Sequence, residues 1–207
     1  MADEAVLALE TGAHDLVIHA LALHWANDPV GQLVQCRRAL RSDGMLICSL
    51  LGGETLYELR ISLAQAEVAT TGGLSPRVAP MGELRDLGSL LQRAGLALPV
   101  ADSQILKVSY PDPQALMRDL RGMGEGNALA ARLRRPTGRK VLTKTAELYK
   151  TMFSLPESRI PATFEVITLT GWSPSADQQK PLRPGSATHR LAQILGGIES
   201  SLTLDGD

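Results

Sequence analysis

Hydrophobic and polar positions along the first fifty residues predict a strand, a helix and a second strand. The run DLVIHAL (15–21) is short and almost continuously apolar, which favours a strand buried on both faces of a parallel sheet. The tripeptide N-D-P (27–29) then predicts a helix start, because an oxygen side chain accepts from free amides and proline fits the first turn. Helical spacing follows, and we expect that helix to end at S-D-G (42–44). The run MLICSLL (45–51) predicts the second buried strand.

The second strand runs directly into GGETLYELRISLAQAEVA (52–69), which has helical spacing. Gly52 and Gly53 allow a sharp turn at the end of the strand, and Glu54 then suits a helix N-terminus. Strand, helix, strand and helix in this order imply right-handed crossovers and a parallel sheet. Ligands bind outside the carboxyl ends of such strands, so His19 and the turn at Gly52 are expected on the ligand-facing rim.

The remaining pattern predicts a loop, three helices and two strands. The loop is rich in glycine, proline, serine and threonine, the helices have apolar spacing, and the strands alternate or are rich in β-branched residues. We expect a loop or lid at 70–80, the helices at about 81–93, 113–123 and 138–153, and the strands at 103–110 and 161–172.

The composition is that of a globular protein of 207 residues, 44% of them hydrophobic. No apolar run reaches the roughly 18 residues that suggest a membrane span. The N-terminus, MADEAVLALE, has neither a secretory nor a transit pattern. Cys36 and Cys48 lie in apolar segments without ligand spacing, so neither a disulfide framework nor a zinc site is expected. These features predict a reducing, cytoplasmic setting.

Charge is unevenly distributed along the chain. The formal net charge of −1 argues against a protein that binds nucleic-acid phosphates for its affinity. Residues 118–140, however, contain seven Lys or Arg and two Asp or Glu. This basic segment is either a solvated helix face or a docking surface for an acidic partner.

A set of short motifs occurs in a fixed order from residue 21 to residue 187. They are L-x-L-H-W-x-N-D (21–28), G-G-E-T-L-Y-E-L-R (52–60), G-G-L-S-P (72–76), D-L-G-x-L-L-x-R-A-G (86–95), G-M-G-E-x-N (122–127), P-A-T-F-E (161–165), G-W (171–172) and R-P-G-S-A (183–187). Over about residues 1–190 this series resembles a branch of the class I S-adenosylmethionine-dependent methyltransferase family. The branch includes the malonyl carrier-protein methyltransferases of biotin synthesis and the methyltransferase-like assembly factor of respiratory complex I.

The resemblance implies an α/β fold, namely a partial Rossmann-like sheet made of the family's strands four to seven. Residues 1–172 would form the C-terminal portion of that domain, with a helical insertion at 113–153, and residues 173–207 an irregular tail. Family members open with a strand that ends in a G-x-G-x-G loop, and no such strand and loop occur here. The expected missing portion is about 60–90 residues. A truncated reading frame, a wrongly chosen start and a degenerate copy all fit. The strand at 15–19 would become a sheet edge, through which the chain could form homo-oligomers.

The resemblance also implies S-adenosylmethionine as cofactor, although the missing loop argues against its binding. Asp3 and Glu4 match the family segment whose acid receives the adenine amino group; the alternative for Asp3 is a frayed terminal acid. His19 either lines the cofactor pocket or caps the end of a strand. No metal site is expected, because His14, His19 and His24 are spaced by five residues and lack carboxylate partners.

On the acceptor side the candidate catalytic residues are His24 and Glu54. His24 lies beside Trp25 at the mouth of the expected pocket, where a histidine is either a general base or a satisfied structural group. Glu54, Tyr57 and Arg60 are expected to face the acceptor, with Trp25 on the same side; Glu54 is alternatively only a helix-start charge.

Two functions are therefore expected. The first is a bacterial, cytoplasmic methyltransferase-like protein, whose intact relatives transfer a methyl group by in-line displacement at sulfonium. The second is an assembly factor that is either non-enzymatic or hydroxylates an arginine of a respiratory complex I subunit. In the second case, the loop or lid at 70–80 and residues 118–140 are expected to bind the partner protein.

Overall fold

The computed structural model describes residues 6–179, together with residues 186, 189 and 194–196. The chain divides into one compact unit, Met1–Ser175, and a second, Ala176–Asp207. Every helix and strand described below lies in the first unit. Asp3 and Glu4 lie outside the described residues, as does most of the expected tail.

The centre of the first unit is a four-stranded sheet with the order β1-β2-β4-β3. Its strands are β1 (His14–His19), β2 (Leu40–Leu51), β3 (Ala97–Tyr110) and β4 (Ile160–Trp172). β1 and β2 are parallel, whereas β4 is antiparallel to both β2 and β3. The α/β class and the partial Rossmann-like sheet are confirmed. The expectation of a parallel sheet holds for the first pair of strands only.

Five α-helices surround the sheet. They are α1 (Pro29–Ala39), α2 (Tyr57–Thr71), α3 (Leu84–Arg93), α4 (Pro113–Gly122) and α5 (Arg139–Phe153), with short 3-10 turns at Leu23–Trp25 and Pro156–Ser158. The N-D-P start of α1 is confirmed, because Asp28 Oδ1 accepts from Gly31 N at 2.8 Å. α4 begins in the same way, with Asp112 Oδ1 accepting from Ala115 N at 2.8 Å.

The predicted end of α1 at 42–44 is wrong. The helix ends at Ala39, and Leu40 already has extended backbone angles and belongs to β2. Asp43 N donates to Ser173 O at 3.2 Å, and Ser173 N donates to Gly44 O at 2.8 Å. Ser173, the residue after β4, therefore holds residues 43 and 44 in the extended conformation of β2 by two backbone hydrogen bonds.

The turn after β2 also differs from expectation. α2 begins at Tyr57, after Leu56 in the left-handed conformation (φ 55°), so Glu54 lies before the helix and not in its first turn. Gly52 is required here for space, since a Cβ on it would lie 2.5 Å from Glu165 Oε2. The same carboxylate oxygen accepts from Glu54 N at 3.0 Å. A buried acid of β4 therefore holds the turn.

Two buried clusters stabilise the unit. The first core lies between α1, α3 and the sheet, and includes Leu33, Leu46, Leu91, Ile167 and Leu169. The second core joins α2, α4 and α5 to the start of β4, and includes Leu59, Leu116, Leu120, Tyr149, Ile160 and Ala162. Side chains alternate along β4, so the residues that it contributes to the first core and those that it contributes to the second core point to opposite faces of the sheet.

Strand β1 lies at one edge of the sheet, as predicted, but it is not buried on both faces. Val17 packs against the first core, whereas Leu16 and Ile18 are 49% and 64% exposed. Within the part of the chain that the structure describes, no element covers this outer face. Self-association through the β1 edge stays a prediction.

Two further features concern the chain as a whole. Cys36 and Cys48 are buried thiols in the first core, and burial raises their pKa values to about 11 and about 12.

Among the described residues, no helix has the length and apolarity needed to cross a membrane.

Candidate functional site

A cavity of about 640 Å³ opens at one end of the first unit. It is bounded by the 3-10 turn before α1, by α2, by the loop after α2, by α4 and by the segment after α4. Most of its wall is apolar, and four ionisable side chains interrupt it. The apolar wall includes Leu51, Leu56, Leu59, Leu63, Val78, Met117 and Leu120, and the ionisable groups are His24, Arg77, Arg121 and Glu125.

His24 and Glu125 form a pair in this wall. His24 Nε2 lies 3.3 Å from both carboxylate oxygens of Glu125, and their side chains are 6% and 20% exposed. His24 Nδ1 is buried and has no hydrogen-bond partner among the described residues. When Nε2 carries the proton and donates to Glu125, Nδ1 is a free base inside the cavity wall. The pair therefore fixes the Glu125 carboxylate in the wall, where it can orient a bound group.

The loop after α2 is fixed by a buried ion pair. Arg77 donates to Glu67 from Nε at 3.0 Å and from Nη2 at 2.7 Å, and Ser75 Oγ donates to the same carboxylate. These hydrogen bonds, those from Arg77 first, lower the pKa of Glu67 to about 2. Arg77 Nη1 also donates to Thr137 Oγ1 at 2.8 Å, and Asn127 Nδ2 donates to the loop backbone at 2.8 Å. The predicted loop or lid is thus held in place along the cavity.

A second buried carboxylate supports the wall from behind. Glu58 is fully buried and accepts from Thr163 Oγ1 at 2.6 Å and from Thr163 N at 3.1 Å. Tyr149 donates to Pro161 O at 2.6 Å, and burial raises the pKa of its phenol. Both contacts join helices to β4 in the second core. Because Leu59 follows Glu58 and lines the cavity, they also fix the position of that wall.

Of the five predicted acceptor-side residues, the structure places two in the cavity wall and three outside it. His24 and Trp25 line the cavity, with ring centroids 5.4 Å apart. Tyr57 packs edge-on against Phe153 outside the lining, and burial raises the pKa of its phenol. Arg60 Nη2 donates to Gly53 O at 2.7 Å and to Thr55 O at 3.0 Å, which fixes the turn before α2. Glu54 is exposed and does not line the cavity either.

His19 lies at the carboxyl end of β1, away from the cavity lining. Its Nε2 is 3.1 Å from Gln32 Oε1, and its Nδ1 is buried without a partner in the described part of the chain. The roles predicted for His19, Asp3 and Glu4 remain predictions.

Sequence reasoning did not single out Glu67, Arg77 or Glu125. Glu125 is separated from His24 by 101 residues, so no local spacing connects them. A signal was nevertheless present, because Glu125 and Asn127 both belong to the motif G-M-G-E-x-N, and Arg77 directly follows G-G-L-S-P.

Comparison with known proteins gives matches along most of the chain. A family described as "Methyltransferase domain" matches residues 1–48. The protein named arginine-hydroxylase NDUFAF5, mitochondrial, of Danio rerio is 40% identical over 205 residues, which is 97% of this chain and 63% of that protein. The malonyl-[acyl-carrier protein] O-methyltransferase of Laribacter hongkongensis is 36% identical over 184 residues, 89% of this chain and 59% of that protein.

The chain is thus similar over most of its length to both of these named proteins, and a methyltransferase domain accounts for its first 48 residues. The chain spans 63% and 59% of the lengths of these two relatives. Among solved structures, the YcgJ protein of Bacillus subtilis has a TM-score of 0.48 and 13% identity, covering 83% of this chain and 68% of that one. The expectation of a bacterial, cytoplasmic protein is corrected by the sequence matches: relatives that are 36% to 40% identical to this chain are mitochondrial by name.

Proposed function

We propose that this chain forms the acceptor-side portion of a protein-modifying enzyme of the arginine-hydroxylase kind. In this proposal the cavity receives an arginine side chain of a protein substrate, such as a respiratory complex I subunit. The observation that carries the proposal is the His24–Glu125 pair, a partly exposed carboxylate set in an apolar wall. The 40% identity to a protein named arginine-hydroxylase supports the same substrate class.

The chemistry of the wall suits an arginine side chain. Arginine has an apolar stem and a planar cation that bonds well to a carboxylate. Leu59, Leu63 and Leu120 offer contacts for the stem, and Glu125 is the acid among the lining residues. Arg77 does not oppose this charge strongly, because Glu67 neutralises it. His24 then holds Glu125 in position through Nε2.

The described residues fit only part of an S-adenosylmethionine site. His19 is the described residue that the family resemblance assigns to the cofactor side, and its Nδ1 has no hydrogen-bond partner among the described residues. The described strands are not followed by a glycine-rich loop of the G-x-G-x-G kind; the run Gly122–Gly126 with that spacing follows helix α4. For this reason no step of the proposal passes through the cofactor.

A second candidate function is methylation of a carboxylate carried by a protein. It is favoured by Arg121, an exposed cation in the cavity lining that would attract an anionic acceptor, and by the 36% identity to a malonyl-[acyl-carrier protein] O-methyltransferase. The two candidates differ in the charge of the group that enters the cavity.

Binding of matched peptides to the full chain tests the proposal. We expect a peptide with a central arginine to bind at least about tenfold more tightly than the same peptide with citrulline, because citrulline keeps the shape but loses the charge. Glu125→Gln should abolish this preference, whereas Glu147→Gln, a change on the surface of α5, should retain it. Equal affinity for the two peptides would overturn the proposal.

Mass spectrometry of the same arginine peptide, co-expressed as a fusion with the chain, separates the two chemistries. A gain of one oxygen atom on the arginine supports hydroxylation, in which the cell supplies molecular oxygen and a two-electron reductant and the second oxygen atom leaves as water. A gain of one methylene group on a carboxylate supports the second candidate instead. His24→Gln should remove whichever product forms.

A further inference from the structure

Four exposed cations follow the cavity-lining segment along the chain and have no partner among the described residues. Arg134, Arg135, Arg139 and Lys140, here called the basic rim, are exposed and make no hydrogen bond or ion pair with the described residues. Arg132 differs, since its Nη1 donates to Leu129 O at 3.0 Å. The sequence pattern left this segment as either a solvated face or a docking surface. Its position in the structure favours docking.

The basic rim is attached to the cavity at two points. Leu129 and Ala130, just before the rim, line the cavity. Thr137, in the middle of it, accepts the hydrogen bond from Arg77, which also lines the cavity. The rim segment therefore begins next to the cavity lining and contacts it again at Thr137. Arg134 is four residues beyond Ala130, so it lies within about 14 Å of the lining along an extended chain.

Two charges of the rim lie where they destabilise the start of α5. Arg139 and Lys140 begin α5, and the first turn of this helix contains no acid. Cations at a helix N-terminus are unfavourable, because the free amides there carry a partial positive charge. The helix end and the four cations add to one positive potential beside the cavity.

We infer that the basic rim binds an acidic segment of the protein whose acceptor side chain enters the cavity. This inference rests on the proposed function and specifies its partner. Acidic residues within about five positions of the acceptor would reach the rim, given the length of an extended chain. A membrane surface is the less favoured partner, because residues 131–140 expose no large hydrophobic side chain to insert among lipids.

The experiment measures binding of labelled peptides to the full chain by fluorescence anisotropy. One peptide has a central arginine with glutamates on one side, and its match has glutamines in their place. We expect the glutamate peptide to bind at least about tenfold more tightly at low salt, and the difference to shrink as salt shortens the screening length from about 30 Å to about 3 Å. Arg134→Glu with Arg135→Glu should remove the difference.

The matched control is Arg85→Glu with Arg93→Glu, which changes the net charge equally on the exposed side of α3. This control should keep the preference for the glutamate peptide. Glu125→Gln should also keep it while losing the preference for arginine over citrulline, so failure of the cavity proposal and failure of the rim proposal are distinguishable.

Three results would overturn the inference. One is equal affinity of the two peptides, and another is an equal loss in the α3 control. The third is binding to phosphatidylserine vesicles that depends on the rim while the peptides do not discriminate, which would assign the rim to a membrane surface.

Discussion

The two buried cores are stabilised by different kinds of contact. The first core consists of aliphatic side chains and the two thiols, and the strands and helices that contribute to it follow the hydrophobic pattern of the sequence. The second core has apolar contacts of the same kind, but Glu58 and Tyr149 are buried within it and each has a partner on or beside β4. The cavity adjoins the second core. The comparison indicates that polar contacts between distant residues set the shape of the candidate site, whereas apolar contacts hold the sheet.

This difference has an energetic side. An apolar core loses stability in proportion to the volume removed, and neighbouring side chains relax partly into the gap. A buried polar group instead needs a partner of the right kind, because an orphaned donor or acceptor retains its full desolvation cost. For substitutions of buried polar residues in the second core, the loss of stability should therefore depend more on whether hydrogen-bond partners remain than on the volume removed.

The largest effect is expected from Leu46→Ala in the first core. Leu46 is fully buried, so its truncation should lower the free energy of unfolding by about 2–5 kcal/mol. Urea denaturation followed by circular dichroism measures this value. Ile18→Ala, on the exposed face of β1, is the control and should change it by less than about 0.5 kcal/mol. Similar losses for both variants would contradict the assignment of the first core.

An intermediate effect is expected from Glu58→Ala in the second core. Removal of the carboxylate leaves Thr163 N and Thr163 Oγ1 without acceptors, which should cost about 1–3 kcal/mol in the same measurement. Glu58→Gln retains one acceptor oxygen and nearly the same volume, so it should recover part of the loss. If the glutamine and alanine variants were equally unstable, volume and not chemistry would dominate here.

The smallest effect concerns the loop held by Glu67. Its folded pKa of about 2 is below the ordinary value of 4.5, so the carboxylate stabilises the loop fully above about pH 4.5 and loses that effect as the pH falls toward 2. Limited proteolysis with pepsin should therefore cleave the wild-type loop increasingly over this range. Glu67→Gln should be cleaved readily throughout it, since it lacks the charge. Parallel pH profiles would contradict the role of the pair.

The sequence predicted the elements better than it predicted the site. β4 and the starts of α1 and α4 follow from local signals, namely β-branched residues and an aspartate followed by proline. The end of α1 was wrong, since residue 43 bonds to residue 173 and no local signal records that contact. The same limitation applies to the cavity. His24 and Trp25 could be identified beside one another, but Glu125 could not be paired with His24 across a sequence separation of 101.

The chain contains two tryptophans, and they report on different places. Trp172 ends β4, whereas Trp25 lies in the wall of the cavity beside His24. With Trp172 replaced by phenylalanine, the tryptophan fluorescence of the protein, excited selectively over that of its tyrosines, would come from the cavity wall alone. The protein therefore contains a built-in optical probe, with which occupation of the cavity can be followed in solution without a label.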